Sequence, residues 1–244
     1  MNLGLRDRRA LVPAATTGLG FATARRLLAE GARVHICGSD PGRLDAAVRE
    51  LGPRCSGSVT DLAAPGSGTA LAESATAGMG GIDILVANAP GPGASHAIDL
   101  SQDAVDQAMR LNFMSAVELC TATVPGMRRR GWGRVVAITS LAVREPFVGL
   151  TGSGAARAAL TVYLKSLNDE VREDGVTVNS IQPGSHETAR YLAFAGTAVD
   201  RDGPGRRVGS PDHFGALVAF LCSELAGYVS GAGLPVAGGY QHAW

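Results

Sequence analysis

The segment Pro13-Ala14-Ala15-Thr16-Thr17-Gly18-Leu19-Gly20 joins a β-rich run, Arg9 to Val12, to a helix-period run, Leu19 to Glu30, which Gly31 closes. Strand, glycine turn and helix in that order form an anion-binding device. Backbone N–H groups and the positive helix end attract a pyrophosphate, and glycine lets the backbone approach with no Cβ in the way. Gly18 and Gly20, with Leu19 between them, are the positions that could do this. In a chain with 33 glycines a lone Gly-x-Gly says little, and its setting between strand and helix gives it meaning. Pro13 removes one backbone donor and Ala14 adds a methyl where the tight first turn usually has glycine, so a lowered affinity is expected.

Ser140 follows the apolar run Val135 to Ile138, at the C-terminal end of an expected parallel strand, where open sheets bind ligands. Its plain alternative is a turn residue capping its own backbone. Asn88 ends another such run, Ile82 to Ala87, and either lines the same cleft or satisfies turn groups. Asn112 lies in a helical run, Ala104 to Gly126, where a buried hydrogen-bonding role is the plain alternative. Asp40, about twenty positions beyond the glycine turn, has the spacing of an acid that grips an NAD ribose. Arg43 nearby reads more simply as an exposed helix residue. The four cysteines, Cys37, Cys55, Cys120 and Cys222, are scattered with no Cys-x-x-Cys pair, so reduced core thiols are expected and no metal site is implied.

These side chains need a scaffold, and the alternation of short β-rich and helix-period runs along all 244 residues supplies one. Strands are expected at Arg9 to Val12, Arg33 to Cys37, Ser56 to Val59, Ile82 to Ala87, Arg134 to Thr139, Val176 to Ile181 and Leu234 to Val236. The fold class is doubly wound α/β of Rossmann type: one domain over residues 1–244, about seven parallel strands, helices on both faces. The Gly- and Arg-rich stretch Gly196 to Gly209 reads either as a mobile loop over a site or as an ordinary surface loop. Charge balances at 22 basic against 22 acidic residues, so a polyanion partner such as nucleic acid is not favoured. No run of eighteen apolar residues occurs and the start MNLGLRDRRALV lacks the signal-peptide pattern, so a cytoplasmic protein without a membrane segment is expected. Of the basic residues 21 are arginine, and Lys165 is the only lysine.

With these motifs in order, the chain resembles the short-chain dehydrogenase/reductase family over nearly its whole length. The family's Thr-Gly-x-x-x-Gly-x-Gly turn falls on Pro13 to Gly20, and Asp83-Ile84-Leu85-Val86-Ala87-Asn88-Ala89-Pro90 is similar to its Asp-Ile-Leu-Val-Asn-Asn-Ala-Gly. Asn112 matches the catalytic asparagine, Ser140 the catalytic serine, and Pro183-Gly184-Ser185-His186-Glu187-Thr188 the nicotinamide-side segment. The resemblance implies NAD or NADP as cofactor, a small-molecule substrate, and a homotetramer or homodimer formed through Ala104 to Gly126, Gly152 to Glu173 and the end at Trp244. It also implies a cofactor-binding set of Gly18, Leu19, Gly20, Ser39, Asp40, Val59, Asn88 and Thr188. Neither cofactor is marked: the family's NAD-selecting acid falls on Gly38, its NADP-selecting arginine on Ser39, and Ser58 stands where an aspartate lies beside adenine.

The family's Tyr-x-x-x-Lys pair falls on Ser153 and Arg157, and no one-residue slip brings Tyr163, Tyr191, Tyr228 or Tyr240 into its place. With Val143 to Pro146 and Thr188 to Arg190, this pattern resembles an atypical 3-oxoacyl reductase-like branch. In the family, the tyrosine hydroxyl moves the substrate proton, serine holds the carbonyl oxygen, and lysine lowers the tyrosine pKa. Ser153 reaches roughly 4 Å less far than tyrosine, and Arg157 stays charged and cannot donate a proton. Its planar fork can bind an oxyanion. The missing acid is expected to lower the rate by about a hundred- to ten-thousand-fold unless another group replaces it. The resemblance places His96, His186 and Tyr191 near the pocket, and His186 is the first choice; a solvated or structural histidine is its alternative.

The catalytic set expected here is thus Ser140, Asn112, Ser153, Arg157 and His186. The first functional reading is an NAD(P)-dependent oxidoreductase of a small carbonyl or alcohol. The alternatives are a non-redox enzyme on the same fold with no cofactor, carrying out elimination, cyclisation or isomerisation, or a catalytically silent binding protein. Halohydrin dehalogenases also replace the lysine by arginine, but they keep the tyrosine. Arg144, Arg157 and Arg190 suggest an acid or acyl substrate, and each could equally be an ion-pair residue.

Overall fold

Seven short runs form the strands β1 (Arg9–Val12), β2 (Arg33–Gly38), β3 (Cys55–Val59), β4 (Ile84–Ala87), β5 (Gly133–Ile138), β6 (Val176–Pro183) and β7 (Gly233–Val236), the central ones rich in aliphatic residues. The computed structural model describes residues 1–195 and 208–240. All neighbours pair in parallel, in the order β3-β2-β1-β4-β5-β6-β7. The order in which strands are added reverses between β1 and β4, and the crevice beyond the carboxyl ends of two such strands is where doubly wound sheets bind ligands. Ala10 pairs with Ile84 and Leu11 with Leu85. That register sets the glycine turn after β1 beside Asn88 after β4.

Because successive Cβ atoms point to opposite faces, each strand feeds two cores. Val12, Ile36, Val86, Val136 and Ile138 face α1 (Gly18–Ala29) and α8 (Pro211–Leu221), where Leu27, Phe214, Val218 and Leu221 are buried. Leu11, Leu85, Val135 and Ala137 face the other layer, formed by α3 (Ser67–Met79), α5 (Ser115–Arg129) and α6 (Thr151–Val171), with Leu71, Leu119, Met127, Leu160 and Leu164. All four cysteines are free thiols buried in these cores. Among the described residues no helix is long and apolar enough to cross a membrane.

Two elements differ from the sequence reading. The helix expected over Ala104 to Gly126 is α4 (Gln102–Met109) and α5, separated by a π-helical turn at Arg110–Met114. Such a turn carries one extra residue per bond, a local change that hydrophobic spacing does not mark. The segment 186–209 is not all loop, since α7 (Ala189–Ala195) opens within it on a Thr188 cap whose Oγ1 accepts from the Tyr191 N–H. Its stem is closed by bonds from Gly209 N to Ser185 O and from Glu187 N to Gly209 O. Residues 196–207, most of the stretch read as a loop over the site, and Trp244 lie outside the described residues.

Candidate active site

The glycine turn is strapped from two sides. Ala14 N donates to Cys37 Sγ at 3.4 Å and Ala15 N to Cys37 O at 3.1 Å, which ties the turn to β2. Asn88 Nδ2 donates to Pro13 O at 3.0 Å and Ala14 O at 3.1 Å, which ties it to β4. Asn88 therefore performs the turn-satisfying role that the sequence left open. Thr17, in extended backbone before α1, makes no side-chain cap, so the first-turn N–H groups face outward with the positive end of the helix. Gly18 has φ +64°, and Thr188 Cγ2 lies 3.6 Å from where its Cβ would stand. A Cβ on Gly20 would come within 2.6 Å of Asn88 Nδ2 and 2.8 Å of Ala14 O. The turn can pack this closely against Asn88 and Ala14 only because Gly20 has no side chain.

Ala14 occupies the left-handed region at φ +48°. An L-residue there costs about 1–2 kcal/mol, partly offset by the greater unfolded-state freedom of glycine. Ala14→Gly is accordingly expected to stabilise the protein by about 0.5–1 kcal/mol, read as a higher urea midpoint at unchanged slope. A lower midpoint would show that the turn is unstrained.

At the end of β2, a Cβ on Gly38 would come within 2.5 Å of Thr16 Cγ2, so the position that the resemblance gives to an acid is filled by the Thr16 methyl. Ser39 is exposed. Asp40 Oδ1 accepts from Arg43 N at 2.7 Å and caps α2 (Pro41–Leu51), so its spacing is explained by capping as fully as by ribose binding. Val59, at the end of β3, is 56% exposed. Ser58 binds His35 Nε2 at 2.9 Å and Ser74 at 3.1 Å.

Beyond β5, Ser140 Oγ accepts from Ala142 N at 3.1 Å and caps the short turn Leu141–Val143, which leaves its O–H free to donate. The π-helical turn buries Asn112, whose Nδ2 donates to Pro90 O at 2.9 Å. Ser153 Oγ donates to Asn112 Oδ1 at 3.1 Å, and Arg157, one turn along α6, donates from Nε to Ser153 Oγ at 3.4 Å. The guanidinium runs on inward: Nη1 donates to Ile138 O at 2.5 Å and Nη2 to Ala89 O at 3.3 Å. Asn112, Ser153 and Arg157 are thus one hydrogen-bonded set at the carboxyl ends of β4 and β5. Behind it lies a cavity of about 10 Å³ bounded by Asn88, Asn112, Ser115 and Arg157, close to the room one water needs.

His186 is outside that set. Its ring is buried, Nδ1 lies 3.2 Å from Gly184 O, and it meets Phe214 edge-on at 5.1 Å between centroids. Burial lowers its pKa below the usual histidine value. Among the described residues no hydrogen bond joins it to Ser140, Ser153 or Arg157, so its observed contacts are those of a packed anchor for the 185–188 and 209 stem. His96 is exposed before the turn Ala97–Asp99. Arg144 is committed to Gln182 Oε1 at 2.6 Å and Gly233 O at 3.1 Å, stapling β6 to β7. Arg190 reaches Gly91 O and Pro92 O, both at 3.0 Å, a contact between segments about a hundred residues apart that no local pattern marks.

A seven-stranded parallel sheet with an uncapped glycine-turn helix at its switch point defines a doubly wound, Rossmann-type fold. The short chain dehydrogenase family pattern matches residues 8–193. The chain is 33% identical to dehydrogenase/reductase SDR family member 4 of Oryctolagus cuniculus, covering 96% of this chain and 94% of that protein. It is 31% identical to cyclohexanol dehydrogenase of Rhodococcus sp. (strain TK6), over 99% and 98% of the two chains. L-sorbose reductase from Gluconobacter frateurii, solved with NADPH and L-sorbose, superposes with a TM-score of 0.92 at 29% identity over the full length of both chains. The chain belongs to the short-chain dehydrogenase/reductase family.

Proposed function

We propose that this chain is a nicotinamide-dependent oxidoreductase of a small carbonyl or alcohol substrate in which Ser153 and Arg157 replace the usual tyrosine and lysine. The observation that carries the reading is the Gly18–Gly20 cradle at the open end of α1, with Thr188 over Gly18 and Asn88 holding the turn. Its shape and polarity fit a dinucleotide diphosphate, and Ser39, Asp40 and Val59 would border the adenosine. Neither NAD nor NADP is singled out, because Gly38 is filled by Thr16 and Arg43, the cation near Ser39, lies 3.6 Å from Asp40.

When bound, the nicotinamide supplies or accepts the hydride. The remaining work falls to the chain. Ser140, oriented by the bond its Oγ accepts from Ala142 N, donates its O–H to the substrate oxygen. Arg157, held one helical turn behind Ser153, places positive charge where that oxygen becomes negative. The proton is exchanged through solvent at Ser153, whose short side chain leaves the room a tyrosine ring would fill. Asn112 fixes Ser153 by accepting its hydrogen bond.

Titration with NAD⁺, NADH, NADP⁺ and NADPH followed by thermal unfolding tests this. At a hundred times Kd a ligand adds about 2.7 kcal/mol, which raises the midpoint of a domain this size by about 5–10 °C. A saturable rise with one of the four is expected. No rise with any of them would overturn the reading in favour of a cofactor-free catalyst or a silent scaffold.

A further inference from the structure

Arg157 is a buried cation without a counter-ion. Its residue is 8% exposed, and its nitrogens meet only the neutral acceptors Ile138 O, Ala89 O and Ser153 Oγ. Among the described residues no carboxylate pairs with it. The nearby charge that acts on it is a second guanidinium, Arg190, and repulsion by that group adds to the cost of burial; together they bring the Arg157 pKa down to about 10. The cation therefore persists at neutral pH.

Two other arginines of the cores show what repays such burial: the half-buried Arg9 has a carboxylate, and the buried Arg134 has an aromatic face. Arg9 forms a two-bonded pair with Asp83, from Nε at 2.8 Å and Nη2 at 2.5 Å. Arg134 lies 4.4 Å over the Trp132 ring and donates to Ser223 O, Gly133 O and Gly175 O, with burial still lowering its pKa. A cation taken from water costs several kcal/mol unless an opposite charge or a full set of acceptors repays it. At Arg157 three dipoles do so in part, and two of its five N–H groups remain unassigned. The cavity beside it, about 10 Å³, is too small for a carboxylate, which leaves the Nε edge toward Ser153 as the approach an anion would use.

We propose that the substrate carries a carboxylate that pairs with Arg157, which makes the chain a reductase of small oxo-acids or, in reverse, a dehydrogenase of hydroxy-acids. This rests on the oxidoreductase reading above and narrows its substrate. In reduction the carbonyl carbon gains a hydride from the reduced nicotinamide, which is oxidised, and the C=O π pair moves to the oxygen, which takes up one proton. The carboxylate passes through unchanged.

The test needs no substitution. Pyruvate, acetoacetate and levulinate are compared with their methyl esters by thermal unfolding, with and without saturating NADPH or NADH. At least one acid is expected to raise the midpoint saturably by a few degrees while its ester does not. Acids that give no rise, or no more than their esters, overturn the proposal. Arg157→Met is expected to abolish the response to the acid and to keep the response to nucleotide. Loss of the nucleotide response instead, with no acid response in the parent protein, would assign Arg157 to a cofactor phosphate and overturn the substrate carboxylate. The nucleotide arm alone reports on the oxidoreductase reading, so the two can fail separately. Should Arg157→Met not fold, the acid-against-ester comparison still decides.

Discussion

Restoring a tyrosine–lysine pair, by combining Ser153→Tyr with Arg157→Lys, is expected to raise kcat for carbonyl reduction by about a hundred- to ten-thousand-fold over the parent protein. Ser153 and Arg157 are four residues apart on α6, on one helix face, and already touch at 3.4 Å. A tyrosine at 153 extends the hydroxyl by roughly 4 Å toward the substrate oxygen, inside the range of direct proton transfer. A lysine one turn behind it lowers the phenol pKa through its charge, so the proton moves near neutral pH; arginine gives a fixed charge and no proton.

Two further consequences separate this from a general change in fitness. Arg157 donates to Ile138 O and Ala89 O, and one ammonium cannot reproduce the guanidinium fork, so the double variant is expected to lose about 1–3 kcal/mol of stability while gaining turnover. For an oxo-acid substrate KM is expected to rise, because the fork that pairs two carboxylate oxygens becomes a point charge. Steady-state rates of nucleotide oxidation beside an unfolding curve read all three quantities. A folded, nucleotide-binding double variant with unchanged kcat would show that proton transfer at 153 is not the limiting step.

The strand-by-strand frame could be read from the chain because aliphatic runs bounded by glycine and proline are local signals. Arg9 to Val12 is β1 to the residue, and the ends of the other strands shift by one or two positions. What could not be read arises from contacts between segments distant in sequence. Asp40 has ribose-binding spacing, yet one residue in that place also caps α2. His186 has the chemistry of a proton shuttle, and only the packing of α8 puts Phe214 against its ring. The inward course of Arg157 depends on carbonyls at the ends of β4 and β5, which only the register of the sheet brings beside α6. The interruption at Arg110–Met114 turns Asn112 toward Ser153, and its hydrophobic pattern is that of an unbroken helix. Candidate residues were thus visible by type, and the contacts each one makes depend on tertiary neighbours that the local sequence does not mark.

Gly20→Ala carries the largest expected effect on the nucleotide site. Its Cβ would lie 2.6 Å from Asn88 Nδ2, 2.8 Å from Ala14 O and 3.1 Å from Ala15 Cα. The amide cannot swing away cheaply, since it satisfies Pro13 O and Ala14 O. The backbone cannot recede without strain, since Ala14 is already at φ +48° and Ala15 N is bound to Cys37 O at 3.1 Å. Overpacking of this kind costs about 1–3 kcal/mol, a fall of roughly 2–10 °C in midpoint for a domain of this size. The relief available is outward movement of the turn, which spoils the alignment of the first N–H groups of α1, so the thermal response to nicotinamide nucleotides is expected to vanish. Gly78→Ala is the matched control: it lies inside α3 with no atom within 4 Å of the added methyl. There helix propensity alone acts, and a gain of about 0.5–1 kcal/mol is expected with the nucleotide response intact. If Gly20→Ala keeps both its midpoint and that response, the nucleotide does not sit on this turn, and the anion site must be sought elsewhere along the carboxyl edge of the sheet.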